Sequence, residues 1–308
     1  MDELAVRDAA ASERRYGFGV LLVVVGAVFL STNGIMLRHI EQADSWQILF
    51  YRGIAFTITL FLILVFNYRR KTAQAFHAIG LRGMWAGLAL GLASSCYIFA
   101  LMLTTIANAM FIIGAAPLAT AFGAWLVLHE RTSRTGVITM IVALGGISLL
   151  FADGVGSGRW LGNVMALGVV AGFVVYLLTV RGSRNIDMLP AVCLSGLVMV
   201  VFGIVGADSL LIQTQDLIII LTMGSVQISV GFMCYTIAAR YILAAEVALF
   251  ALTESILAPI WVWIGIGETP SSLTLAGIAI VLMAVIVYGV VEILRVRRAL
   301  GLSVAQTR

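Results

Sequence analysis

Apolar runs about as long as a membrane-spanning helix recur through this chain from residue 17 to residue 294, and no other feature limits the fold so strongly. A helix needs roughly 20 consecutive apolar residues to cross about 30 Å of hydrocarbon. The runs lack the period-2 alternation of a barrel strand, and in lipid every backbone N–H and C=O needs an internal partner, so they read as helices. With 61% hydrophobic and only 11% charged residues, against about 25% charged in a soluble domain, a water-soluble fold of this length could not hide its apolar surface.

The expected fold is therefore all-α and integral to the membrane, with ten transmembrane helices at 17–37, 48–66, 83–103, 107–128, 136–151, 161–180, 189–207, 217–239, 244–266 and 273–294. Ten crossings put both termini on one side. That side then holds every Lys and Arg of the 19 except Arg38, Arg52 and Arg159, a bias that places both termini in the cytoplasm. Topology thus accounts for the high pI without a nucleic-acid partner. Residues 1–16 lack the apolar core of a secretory signal, so the first span is expected to stay as an anchor.

Shifted against itself by 138 residues, the chain superposes Cys96-Tyr97 on Cys234-Tyr235, Ala107 on Ala245, Trp125 on Trp263 and Glu130 on Glu268. A shift of 143 matches Arg38 with Arg181, Asp44 with Asp187 and Gly53 with Gly196. The ordered series predicts two five-helix repeats, 17–151 and 161–294, between a polar N-terminal tail (1–16), an outside, periplasmic linker (152–160) and a cytoplasmic basic tail (295–308) that can touch anionic lipid. Five is odd, so the second repeat enters the membrane inverted. That arrangement puts a central cavity at the repeat interface near mid-membrane.

The chain resembles the drug/metabolite transporter superfamily, specifically its ten-helix EamA-type exporters. The resemblance rests on Ala115-Ala116-Pro117 through Trp125 to His129-Glu130-Arg131-Thr132, and on Leu252-Thr253-Glu254-Ser255 through Trp263 to Gly267-Glu268-Thr269. Pro117 and Glu130 keep the family spacing. The second repeat departs from it, with Ser255 at the proline position and Pro259 one turn later. In length and pattern the chain is most similar to YddG-type exporters of aromatic and other amino acids. The resemblance implies a bacterial inner-membrane exporter with a cavity lined mainly by the first, third, fourth, sixth, eighth and ninth helices.

Intramembrane ionisable groups mark function by default. Glu254, mid-way along the ninth span, is either a cavity or coupling carboxylate or a structural one bonded to a neighbouring helix. Glu246, nearer the cytoplasmic end, reads as a gate or interface residue. Pro117 and Pro259 should kink their spans, as hinges or as static shape. Tyr97 and Tyr235 pair an apolar ring with a hydroxyl, suiting amphipathic solutes or packing. Asn33, Trp85, Asn108, Tyr176 and Gln227 are further cavity candidates that could equally bond between helices. Gly87 and Gly91 read as a close-packing face and Glu130 and Glu268 as turn residues, while Arg52 could see substrate carboxylates or snorkel to the outer surface, its position near the interface favouring the second.

Cys96, Cys193 and Cys234 make no CxxC, and there is no histidine cluster, no P-loop and no nucleophile-base-acid set. No cofactor, metal or enzymatic activity is expected. The leading expectation is a secondary exporter of amino acids or similar small metabolites, complete as a monomer in the lipid bilayer. A sugar-phosphate or nucleotide-sugar carrier would need a cation deep in the cavity, and on this reading the chain offers none. A drug carrier of the same superfamily or a channel is the remaining alternative.

Overall fold

The computed structural model describes residues 2–104, 106–150, 160–267 and 271–306, with side chains over 14–104, 108–149, 160–265, 267 and 271–295. The expected linker 152–160, apart from Trp160, and Glu268 lie outside the described residues. Every regular element among the described residues is helical. Among the described residues nine helices are long and apolar enough to cross a membrane, and Arg134–Leu149 is a tenth, shorter apolar one.

The first span is α1 (Asp2–Ser31) and α2 (Asn33–Leu37), and the second is α3 (Ser45–Tyr68), whose continuation α4 (Thr72–Ala78) follows one 3-10 turn. The third is α5 (Gly80–Leu103). The fourth is broken into α6 (Ile106–Ile113) and α7 (Ala116–Gly123), which runs on through a π-helical turn, Ala124–Leu128. The fifth, sixth and seventh are α8 (Arg134–Leu150), α9 (Trp160–Gly182) and α10 (Leu189–Gly206). The eighth joins α11 (Thr214–Thr222) to α12 (Ser229–Ala238) through a π-helical stretch, Met223–Ile228. The ninth is broken into α13 (Ala244–Ala251) and α14 (Thr253–Ile266), and α15 (Ser272–Gln306) is the tenth. Both terminal segments read as tails thus continue helically, in α1 and in α15.

Helix pairing carries the symmetry that the sequence offsets suggest. The second span packs on the seventh, the fourth on the ninth and the fifth on the tenth, each pair mapping onto itself when a span is exchanged for the one five later. The third packs on the sixth as the first does on the eighth, and the third on the seventh as the second does on the eighth. α1 also lies against α15, without a comparable counterpart among the described residues. Because successive spans run in opposite senses, this exchange relates one five-helix unit to an inverted copy, with the axis in the membrane plane.

Gly53 and Gly196, related by the 143-residue shift, meet where α3 crosses α10. A Cβ on Gly53 would stand 2.9 Å from the Gly196 carbonyl oxygen, and one on Gly196 would stand 3.1 Å from the Gly53 oxygen and 2.2 Å from Thr57 Oγ1. In lipid, helix association depends on such close backbone approach. Gly87 and Gly91 do the same for α5 against α10, where added Cβ atoms would fall 2.6 Å from the Ala191 oxygen and 2.5 Å from Val198 Cβ.

Two turns also repeat. His129, after the fourth span, and Gly267, after the ninth, are related by the 138-residue shift and both have left-handed backbone, φ 54° and 80°. Such a residue ends a helix by turning its last carbonyls inward, and glycine adopts it at least cost. That explains the glycine of the Gly-Glu turn, with histidine taking the strained position in the first repeat.

We expect Gly53→Leu to force α3 from α10, costing about 1–3 kcal/mol as overpacking does. The check is a lower midpoint of thermal unfolding in detergent than for Val65→Leu, a change on the exposed face of the same helix.

Candidate functional site

Interruptions of the helices build the site. α6 stops at Ile113 and α7 starts at Ala116. Pro117, at the start of α7, has no N–H for the Ile113 carbonyl four residues back, so the break follows from its chemistry. The ninth span breaks at Leu252, the position related to Gly114 by the 138-residue shift, although no proline is present there. Pro259 sits within α14 and does not make this break. The first span is interrupted at Thr32, whose hydroxyl bonds back to the Phe29 carbonyl at 2.7 Å. Trp261 Nε1 donates to Ser31 Oγ at 2.7 Å and ties the ninth span beside that interruption. The π-helical stretch of the eighth span carries Gln227, and such insertions recur where a helix must aim a side chain.

Around these interruptions lies a cavity lined by the first, second, third, fourth, sixth, eighth and ninth spans, the space between its walls being about 940 Å³ with its open part included. Its walls are mostly apolar, with Leu90, Val169, Phe173 and Phe232 among them. Against them stand Asn33, Tyr97, Gln227, Tyr235, Glu254 and Arg52. This is the mixture expected of a small-molecule site, apolar walls with a few placed polar groups. Gly114 and Ala116 of the fourth span, with Ala251 and Leu252 of the ninth, bring both helix breaks into the lining.

Arg52 corrects the sequence reading. It does not snorkel to the surface; it is 4% exposed and lines the cavity, because its face of α3 is the one packed against the eighth span. Its Nη2 reaches Gln227 Oε1 at a long 3.5 Å, and Nε and Nη1 have no hydrogen-bond partner. Gln227 is held by its own Nε2, which donates to the Leu30 carbonyl at 3.0 Å. Asn33 Nδ2 donates to the Tyr97 hydroxyl at 3.4 Å, while Asn33 Oδ1 and the Tyr235 hydroxyl are buried without partners. Glu254 lies in the first turn of α14, where the helix N-terminus favours negative charge. The rule that singled out Glu254, an ionisable side chain within a span, applies equally to Arg52; that was the signal available in the sequence.

Other candidates fall elsewhere. Trp85 is 58% exposed on the outer face of α5 and does not reach the cavity. Asn108 is half-buried on α6, outside the lining. Tyr176 is fully buried behind the wall, its hydroxyl 2.6 Å from Thr236 Oγ1, and its ring stacks into a cluster with Phe173, Phe232 and Tyr235.

Glu246 is likewise outside the cavity, at the end of the bundle that carries the termini. One oxygen accepts from Tyr288 at 2.9 Å and Tyr16 at 3.2 Å, the other from the Leu243 N–H at 2.9 Å, so this carboxylate joins the first, ninth and tenth spans. At the same end Glu130 pairs with Arg181 at 2.8 Å, and Arg181 also donates to the carbonyls of Ala239 and Arg240 at the end of α12. Asp187 accepts from Tyr68 and, at 2.7 Å, from Arg240. At the opposite end Asp216 accepts the backbone N–H groups of Glu41, Gln42 and Ala43 at 2.9–3.1 Å.

Residues 17–152 match the EamA-like transporter family. That stretch, which holds the first five spans, is similar to EamA-like transporters. An uncharacterized transporter of Clostridium kluyveri is 22% identical over 288 residues, covering 87% of this chain and 92% of the relative. A solved crystal structure superposes with a TM-score of 0.71, covering 87% of this chain and 95% of that one; at 15% identity this likeness shows the fold alone.

Glu246→Ala should strand the hydroxyls of Tyr16 and Tyr288 and the Leu243 N–H. Each buried group left unsatisfied costs about 1–3 kcal/mol. Thermal unfolding in detergent is expected to fall sharply for Glu246→Ala and much less for Glu246→Gln, which keeps an acceptor.

Proposed function

We propose that this protein is an EamA-type secondary transporter that exports amino acids, aromatic ones among them, and similar small metabolites by alternating access through the central cavity. The carrying observation is the cavity itself. Both halves of the chain line it, two broken helices meet at it, and its ionisable lining is one cation and one carboxylate between apolar walls. Broken helices at a repeat interface are the usual site of substrate binding in transporters with inverted repeats. The breaks at Gly114–Ala115 and at Leu252 are the natural hinges for rocking one repeat against the other, with Pro117 fixing the first and Pro259 shaping α14 beyond the second. Asn33, Tyr97, Gln227 and Tyr235 serve as polar contacts, and the Phe173–Phe232 wall receives the apolar part of the solute.

The amphipathic walls support the likeness to exporters of aromatic amino acids. The argument against a sugar-phosphate carrier now has a different basis, since Arg52 does supply a cation. Glu254 faces the same cavity and offsets that charge, which disfavours a phosphate dianion and suits a solute of no net charge. The positive-inside bias supports a bacterial inner-membrane protein with both termini in the cytoplasm. One chain supplies every wall of the cavity, which supports action as a monomer.

Purified protein in liposomes loaded with unlabelled amino acids should take up labelled phenylalanine and threonine by saturable counterflow, with a nucleotide sugar inert. A run with an imposed pH gradient reads whether exchange is proton-coupled. Exchange of the nucleotide sugar in place of the amino acids would overturn the substrate assignment and leave the fold intact.

A further inference from the structure

Two side chains of opposite charge type share the cavity without an ion pair between them. Arg52, on the second span, and Glu254, on the ninth, both line it. Yet Nε and Nη1 of Arg52 have no partner, and among the described residues no hydrogen bond or ion pair engages the Glu254 carboxylate. A buried guanidinium at 4% exposure with most of its donors idle is costly in a protein interior and more so at membrane depth. Packing does not account for it: α3 is already seated on α10 through glycine contacts on another face, and the Gln227 contact, at 3.5 Å, uses a single donor.

We propose that Arg52 and Glu254 form a two-point reader of the zwitterionic α-amino-acid group. The planar fork of Arg52 takes the carboxylate, for which its parallel N–H donors are shaped, and Glu254 takes the ammonium. A zwitterion set between them satisfies both charges at once, while a solute with only one charged group leaves the other buried and unpaired. Asn33 Oδ1 and the Tyr235 hydroxyl, buried, unpartnered and in the same lining, supply further polar contacts. The substrate side chain is left to the apolar wall of Phe173 and Phe232. This assigns the substrate class by its head group and leaves the side chain loosely specified, as an aromatic and aliphatic wall would. It rests on the reading of the cavity as an amino-acid transport site.

The test is competition against counterflow of labelled phenylalanine in proteoliposomes, with phenylalanine, its primary amide and 3-phenylpropionate as competitors. Amide and propionate keep one charged group each. On the unaltered protein both should compete about ten- to a hundredfold more weakly than phenylalanine, the size of a lost charge-assisted hydrogen bond in a dry site. Arg52→Gln should abolish the preference for phenylalanine over its amide and keep the preference over phenylpropionate; Glu254→Gln should do the reverse. Arg52→Lys, which keeps the charge and loses the fork, should fall between. The competition on the unaltered protein needs no variant to fold and decides the matter alone. Phenylalanine exchange with amide and propionate equally effective would overturn the zwitterion reader and leave the transport reading standing. A protein that exchanges no amino acid removes both.

Discussion

The bilayer cannot hydrogen-bond a backbone, and the whole structure follows from that constraint. Each span must satisfy its own N–H and C=O groups, so helices are obligatory and each interruption of a helix has a cost that something nearby must offset. Interruptions are few here, and the breaks of the fourth and ninth spans fall at positions related by the same sequence shift and open on one cavity. The fourth span breaks because Pro117 cannot donate. The ninth breaks at the matching position without a proline, so the position is set by the symmetry of the bundle and not by the local residue.

Helix association in lipid has little hydrophobic drive, which leaves close backbone contact and polar ties to hold the bundle. Gly53 meets Gly196 where α3 crosses α10, and Gly87 and Gly91 seat α5 on α10. Polar ties gather at the ends: Glu130 with Arg181, Asp187 with Tyr68 and Arg240, and Glu246 with Tyr16 and Tyr288 at one, Asp216 with three backbone amides at the other. Arg181 and Asp216 each join different spans across their end of the bundle.

The charges at the centre are handled differently from those at the ends. Arg181 and Glu246 are buried and each makes several hydrogen bonds, whereas Arg52 keeps idle donors beside a cavity that also holds Glu254.

Hydropathy alone determined the helical membrane fold, the number of spans and most of their limits, since the length of an apolar run is set by the thickness of the bilayer. The weak self-similarity of the chain, with the parity of five, determined the inverted pairing. Which face of each helix turns inward was decided only by tertiary packing, because a span that is apolar all round carries no amphipathic stripe to orient it. For that reason Trp85 and Tyr176, plausible by composition, lie outside and behind the cavity, Glu246 is a tie between helices, and Arg52, which looked placed to snorkel, turns into the site. Glu254, Tyr97 and Gln227 could be named from the sequence because a polar group within a span is conspicuous, but that Glu254 shares one cavity with an arginine about 200 residues away is a fact of helix rotation and contact, which only the folded bundle fixes.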